Sequence, residues 1–128
     1  MATIATIALL VGGWNQPTDA EAIHGHSTYY ADGLMRQVIA NRGLSHADGV
    51  ALNRAGDLGR IVWLMWDDGT ITGPLPVVDC SQKIHFENRE SQGRVVEVSA
   101  KLARERGFYG VGPVGVTVWF QPPEVRWE

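Results

Sequence analysis

The sequence predicts a small barrel, mainly β, with one or two short helices. Short apolar runs rich in β-branched and aromatic residues recur along the chain, and an Asp-Gly pair separates two of them. Few segments show helical spacing of their apolar residues. Several short strands with few helices are typical of a small barrel, and 128 residues are enough for one domain with its own core.

The first predicted elements are a strand and a helix. Residues 27–30 are rich in β-forming side chains, which predicts a strand. Apolar residues then recur at helical spacing over residues 34–42. Asp32 precedes this segment and Gly43 follows it, so we expect Asp32 to cap the helix and Gly43 to end it.

The remaining elements follow from turn signals. Residues 60–66 and 70–79 flank an Asp-Gly turn, which predicts a hairpin. A polar stretch follows and predicts a loop, and residues 95–98 are expected to form a strand. Ser99 is a natural N-cap for a helix over residues 99–106. The last predicted strand covers residues 114–120.

The predicted domain organisation has three parts. Residues 1–22 form an apolar N-terminal segment with a linker, 23–121 form the barrel, and 122–128 form a C-terminal tail. The apolar run over residues 2–13 is too short to span a bilayer, and no Lys or Arg precedes it. It fits either a signal-like segment or a docking strand that joins copies in a homo-oligomer. We favour a secreted or cell-envelope location over a cytoplasmic one.

Composition excludes some partners and favours one. The net charge is −3 and no run of Lys or Arg occurs, so nucleic acid is excluded as a partner. Five Trp are many for this length, and Trp rings stack on sugars. Cys80 is the sole cysteine, so no intrachain disulfide can form. The sequence predicts no cofactor and no metal, because the His24-x-His26 spacing is common by chance.

Several phrases in chain order resemble double-psi β-barrels. Val77-Val78-Asp79 resembles the valine-rich strand ending in aspartate of rare lipoprotein A barrels. Residues 28–32 resemble the threonine-x-tyrosine-x-aspartate opening of family-45 endoglucanases, which share this barrel with expansins. Residues 95–118 resemble the closing strand–helix–strand segment. The resemblance implies a six-stranded double-psi β-barrel that binds or cleaves a polysaccharide, such as a cell-wall glycan or peptidoglycan.

Three acids are candidate catalytic residues: Asp79, Glu97 and Asp32. The resemblance implies Asp32 as the base and Glu97 as the acid of glycoside cleavage, which requires such a pair. Asp79 ends an apolar strand, so its carboxylate must be hydrogen-bonded or have a raised pKa. Each acid also has a plainer interpretation: Asp32 as a helix cap, Glu97 as a solvated strand residue, and Asp79 as a structural carboxylate holding loop amides.

Tyr30 and Asn53 are the candidate substrate-binding residues. Tyr29 and Tyr30 alternate in direction, so one is expected inward and the other in a groove. Asn53 stands where lytic members of the rare lipoprotein A group carry histidine, and an amide cannot shuttle protons. An enzyme here would be a glycoside hydrolase or resemble lytic transglycosylases. The alternative function is a non-catalytic structural or assembly module that uses the barrel as a scaffold.

Overall fold

The computed structural model describes residues 21–81 and 93–123. The apolar run over residues 2–13, most of the polar loop and most of the tail lie outside these ranges. In chain order the elements are β1 Ala22–Tyr29, α1 Leu34–Asn41, β2 Val50–Leu52, a 3-10 turn at Ala55–Asp57, β3 Ile61–Trp66, β4 Ile71–Cys80, β5 Arg94–Val98, α2 Ala100–Glu105 and β6 Val114–Trp119.

The six strands close into a barrel in the order β1-β5-β2-β4-β3-β6, with β6 returning to β1. Two pairs are parallel, β1 with β5 and β2 with β4, and the others are antiparallel. The predicted fold class, a mainly β six-stranded barrel with two short helices, is confirmed. The hairpin predicted at the Asp-Gly pair joins β3 to β4, where Gly69 has φ 90°.

The barrel interior is filled by alternate strand residues and by one face of α2. Alternation places one set of side chains inward on each strand because successive side chains point to opposite faces. On β3 the inward residues Val62, Leu64 and Trp66 are buried, and α2 adds Leu102 and Ala103. Burial of each large apolar side chain contributes roughly 1.5–3 kcal/mol. This main core therefore supports all six strands.

Helix α1 rests on a separate, smaller core. Its residues Met35 and Ile39 pack against Val78 of β4, with Tyr30 partly buried beside them. Val78 points away from the barrel interior that its neighbour Val77 helps to fill, as strand alternation requires. This satellite core attaches α1 to the outside of the barrel next to the end of β4.

The first strand is longer than predicted. It starts at Ala22, whereas the sequence predicted a linker there and a strand only from residue 27. The backbone of the earlier residues pairs antiparallel with β6, from Ala22 opposite Trp119 to Ser27 opposite Val114. Because a polar backbone group on a barrel needs a partner, this pairing overrides the weak β-propensity of the Gly25 region.

The predicted helix cap at Asp32 is wrong. The N-cap of α1 is Gly33, at φ 80°, and no side chain caps the helix. The Asp32 carboxylate binds Arg104 instead. The cap predicted for α2 is confirmed, since the Ser99 hydroxyl accepts a hydrogen bond from the Leu102 N–H at 3.1 Å. No helix in the described part of the chain has the length and apolarity needed to cross a membrane.

Candidate functional site

A groove of about 400 Å³ opens where β1 and β4 end, beside α1. One wall is apolar and comes from the start of α1, with the partly exposed Leu34 and Val38. The opposite side is polar. The lining residues are Tyr29, Tyr30, Ala31, Leu34, Val38, Asp79, Cys80, Ser81 and Glu97. Three of the residues predicted from the sequence, Asp79, Glu97 and Tyr30, therefore share one groove.

Strand pairing explains why Asp79 and Glu97 meet. The short strand β2 lies between β4 and β5, and its Ala51 is the register partner of both acids. Adjacent strands are about 4.8 Å apart, so the two backbones stand roughly 9.6 Å apart at the same height. Both side chains reach into the groove above Ala51, which is fully buried. The separation of the acids is thus determined by backbone hydrogen bonding.

Asp79 is held by three donors. The Tyr30 hydroxyl donates to its Oδ2 at 2.6 Å, Arg42 Nη2 donates to its Oδ1 at 2.8 Å, and the backbone N–H of Cys80 also contributes. Burial pushes the pKa of Asp79 upward, but the hydrogen bonds from Tyr30, Arg42 and Cys80 outweigh it. The pKa therefore lies below its ordinary value, and Asp79 is an ionised acceptor at neutral pH.

Tyr30 is a permanent proton donor in this groove. Burial, the hydrogen bond to Asp79 and the negative charges of Asp79 and Glu97 raise the pKa of its phenol far above the ordinary value. A phenol in this state keeps its proton at any physiological pH, so Tyr30 cannot act as a base. It fixes the orientation of the Asp79 carboxylate.

Glu97 sits between a hydroxyl and a guanidinium. Ser81 Oγ donates to its Oε1 at 3.1 Å, and Arg94 Nη1 lies 3.5 Å from its Oε2. The Arg94 side chain is only 4% exposed, so it places a buried positive charge beneath the groove. Thr28 is the register partner of Glu97 on β1, and its Oγ1 is buried without a hydrogen-bond partner in the described part of the chain.

The other two predicted site residues lie elsewhere. Asp32 does not line the groove, and its carboxylate accepts two hydrogen bonds from Arg104, at 2.9 and 2.8 Å. The hydrogen bonds from Arg104 lower the pKa of Asp32. Asn53 Nδ2 donates to the backbone carbonyl of Arg94 at 2.9 Å, so it anchors the start of β5 and does not line the groove either.

Sequence reasoning missed three residues around the acids: Arg42, Ser81 and Arg94. Arg42 ends the segment predicted as a helix, and Ser81 and Arg94 belong to or adjoin the polar stretch predicted as a loop. Ser81 could have been found, because it directly follows the strand that carries Asp79. The pairing of both arginines depends on long-range contacts that no local pattern encodes. Tyr29 and Tyr30 alternate in direction as predicted, since Tyr29 packs against the main core and Tyr30 against the satellite core. Both nevertheless line the groove, whereas only one was expected there.

The groove is suited to bind a polar ligand that has one apolar face. Two carboxylates accept hydrogen bonds, while the helix wall offers packing surface. Within residues 21–81 and 93–123, no group of three or more His, Cys, Asp or Glu is arranged to hold a metal ion. Cys80 is half-buried in the groove lining, and its Sγ lies 3.6 Å from the Ser81 carbonyl oxygen, as a weak donor.

Solved structures identify the architecture. The apo expansin of Clavibacter michiganensis superposes with a TM-score of 0.51 at 16% identity over 83% of this chain. This chain has the expansin barrel fold. A mutant of the same expansin in complex with cellohexaose gives a TM-score of 0.51 at 17% identity over the same share. The match covers 53% of each expansin chain, so the barrel corresponds to about half of those proteins. No family model and no curated protein matches the sequence.

Proposed function

We propose that this expansin-like barrel binds a polysaccharide in the groove and does not cleave it. The observation that carries the proposal is the placement of Asp79, Glu97 and Tyr30 opposite the apolar wall of α1. A sugar ring has this same division, with C–H groups on its faces and hydroxyls around its edge. The complex of a structurally similar expansin with cellohexaose supports a glycan as the ligand class.

The recognition chemistry follows from the free acceptor positions. Each carboxylate oxygen has two lone-pair sites, and the protein donors to Asp79 and Glu97 do not use all of them. Hydrogen bonds from sugar hydroxyls to an ionised carboxylate are worth about 1.5–3 kcal/mol when formed out of bulk water. Leu34 and Val38 offer an apolar surface for the C–H face of a sugar ring on the other side of the groove.

The same geometry argues against cleavage. Glycoside hydrolysis needs a proton donor and a base on either side of the scissile bond. The base implied by the resemblance, Asp32, binds Arg104 outside the groove. Asp79 has a lowered pKa and cannot donate a proton at neutral pH, and Asn53 replaces the histidine of lytic relatives. A binding groove accounts for all of these features.

The ligand class extends to cell-wall glycans, including peptidoglycan, and a secreted or cell-envelope location follows from it. These materials lie outside the cytoplasm, so a protein that binds them must reach them. This part of the proposal rests on the expansin likeness and on the neutral balance of the groove, where Arg42 and Arg94 pair with Asp79 and Glu97. A groove without excess charge suits an uncharged hexose chain best.

Calorimetric titration with cellohexaose and with solubilised peptidoglycan fragments tests the proposal. Asp79→Asn keeps the shape of the side chain but removes its charge, and we expect roughly tenfold weaker binding. Asp68→Asn is the matched control, because Asp68 is an exposed aspartate of the β3–β4 turn outside the groove. Wild-type binding without formation of shorter glycan fragments, which mass spectrometry detects, supports a binding groove.

Three outcomes contradict the proposal. Formation of shorter glycan fragments by the wild type, lost in Asp79→Asn, would make the protein a glycan-cleaving enzyme. Failure of the wild type to bind either ligand would remove glycan binding and favour the scaffold alternative. Equal weakening by Asp68→Asn and Asp79→Asn would show that the loss is unrelated to the groove.

A further inference from the structure

An ion pair outside the groove joins the segment after β1 to α2. Asp32 follows the groove residue Tyr30 by two positions, and both of its carboxylate oxygens accept hydrogen bonds from Arg104, 72 residues away. The guanidinium donates through Nη1 and Nη2, at 2.9 and 2.8 Å. This two-pronged geometry fixes the direction of both side chains as well as their distance.

The contact continues back to the groove through two aromatic rings. The Arg104 guanidinium lies 4.0 Å from the centroid of the Tyr109 ring, and the Tyr109 centroid lies 4.8 Å from that of Tyr29. The Tyr29 hydroxyl accepts a hydrogen bond from the backbone N–H of Gly110 at 2.7 Å. Asp32, Arg104, Tyr109 and Tyr29 thus form a chain of contacts whose two ends are joined by the backbone that carries Tyr30.

Tyr30 itself is held by its hydroxyl, which donates to Asp79, and by its ring, which packs beside the satellite core. The backbone N–H of Tyr30 bonds to the Val98 carbonyl at 2.8 Å, after which the chain leaves the barrel. Gly33 then adopts a left-handed conformation and α1 begins without a side-chain cap. The helix itself rests on the satellite core of Met35, Ile39 and Val78. The position of Tyr30 therefore depends on these contacts and also on how the residues between Tyr30 and α1 are held.

We propose that Asp32 and Arg104 are positioning residues, which hold Tyr30 and the start of α1 in the arrangement that binds the glycan. The inference rests on the proposed function, because it concerns affinity in the same groove. Neither Asp32 nor Arg104 lines the groove, so the pair acts on the groove residues from outside it. The pair restricts the groove before the ligand arrives, so less conformational entropy is lost on binding and the affinity is higher.

Exposure of the pair separates its effect on binding from its effect on folding. The side chains of Asp32 and Arg104 are 66% and 47% exposed. Exposed ion pairs stabilise a fold only slightly, since water and salt screen them. Loss of the ion pair should lower the affinity for the ligand more than it lowers stability, because binding requires Tyr30 in one position. We expect Asp32→Asn and Arg104→Gln each to weaken cellohexaose binding roughly three- to tenfold, with little change in melting temperature.

The experiment combines titration with amide hydrogen exchange. Asp32→Asn, Arg104→Gln and the double variant are titrated with cellohexaose, and the exchange rate of the Tyr30 amide is measured without ligand. We expect both single variants to accelerate this exchange and the double variant to bind no worse than Arg104→Gln, because the pair acts as a unit. Lys101→Gln is the control, since its ion pair with Glu105 lies on the same helix away from the groove.

Distinct outcomes overturn the inference. Unchanged affinity and unchanged Tyr30 exchange in both single variants would show that the pair positions nothing. Weaker binding in Asp32→Asn with normal binding in Arg104→Gln would instead show that Asp32 contacts the ligand directly. If the wild type binds no cellohexaose, the proposed function loses this ligand. Unaltered Tyr30 exchange in the variants would then separately overturn the positioning role.

Discussion

The two helices have similar capping signals in the sequence but differ in how they are capped in the structure. Each predicted helix is preceded by a residue suited to cap it, Asp32 for α1 and Ser99 for α2. Ser99 caps α2 as expected, whereas Asp32 turns away to Arg104 and leaves α1 uncapped. A capping preference is a local effect of about 1 kcal/mol, which is small enough for other contacts of similar size to decide the conformation.

The supports of the two helices differ as well. Helix α2 packs Leu102 and Ala103 into the main core, while α1 rests on the satellite core and on the ion pair between Arg42 and Asp79. The helix that lines the groove is thus the one that packs against the smaller core. Ligand-binding elements are commonly drawn from the less stable parts of a fold.

Substitutions in the two cores give the largest expected contrast. Leu102→Ala removes a buried side chain from the main core and should lower the free energy of unfolding by about 3–4 kcal/mol. Ile39→Ala in the satellite core should cost about 2 kcal/mol, because a small peripheral core relaxes around a cavity more easily. Urea titration measures both. Equal losses would show that α1 is supported as firmly as α2.

The next effect concerns the polar support of α1 and depends on pH. The folded-state pKa of Tyr30 is raised above its unfolded value of 10.0, so its stabilising contribution is complete below pH 10. Above that pH the unfolded chain loses the proton first, so stability falls with rising pH, by at most about 1.4 kcal/mol per pH unit for this one group and by less because its side chain is only partly buried. Tyr30→Phe should therefore show a shallower alkaline decline in urea titrations from pH 9 upward. Parallel declines in wild type and variant would contradict the burial of the phenol.

The smallest contrast returns to the two caps. Ser99→Ala removes the acceptor for the Leu102 N–H and should lower the free energy of unfolding by about 1 kcal/mol. Asp32→Ala should leave it nearly unchanged, since Asp32 caps nothing and its carboxylate is exposed. Thermal unfolding of the two variants side by side measures the difference. A larger loss in Asp32→Ala would mean that the link to Arg104 supports the fold itself.

Much of the fold could be predicted because its signals are local. The Asp-Gly turn, the apolar strands and the Ser99 cap each depend on a few neighbouring residues, and the observed bounds of β3, β4, β5, β6 and α2 lie within one residue of the predicted ones. The early start of β1 could not be predicted in this way. Its first residues pair with β6, which is more than 80 residues later in the chain, so their conformation is decided by tertiary pairing.

The residues of the site also differ in whether they could be predicted from the sequence. The convergence of Asp79, Glu97 and Tyr30 was anticipated through the resemblance to known barrels, since the order of strands brings them to one groove. The arginines that neutralise the acids were not, because Arg42 and Arg94 look like ordinary charged residues in the sequence. Asp32 lies outside the groove and binds Arg104, and no sequence motif connects these two residues.

The position of Ala51 has a consequence for engineering. This residue makes β2 a spacer between the two acid-bearing strands, and its own side chain is wholly enclosed. The distance between Asp79 and Glu97 is therefore a property of the sheet and is insensitive to which side chains occupy those two positions. A designer could exchange both acids for other polar residues while the spacing of the two backbones that carry them stays the same. The barrel would then serve as a template that holds two chosen polar groups on backbones of fixed spacing.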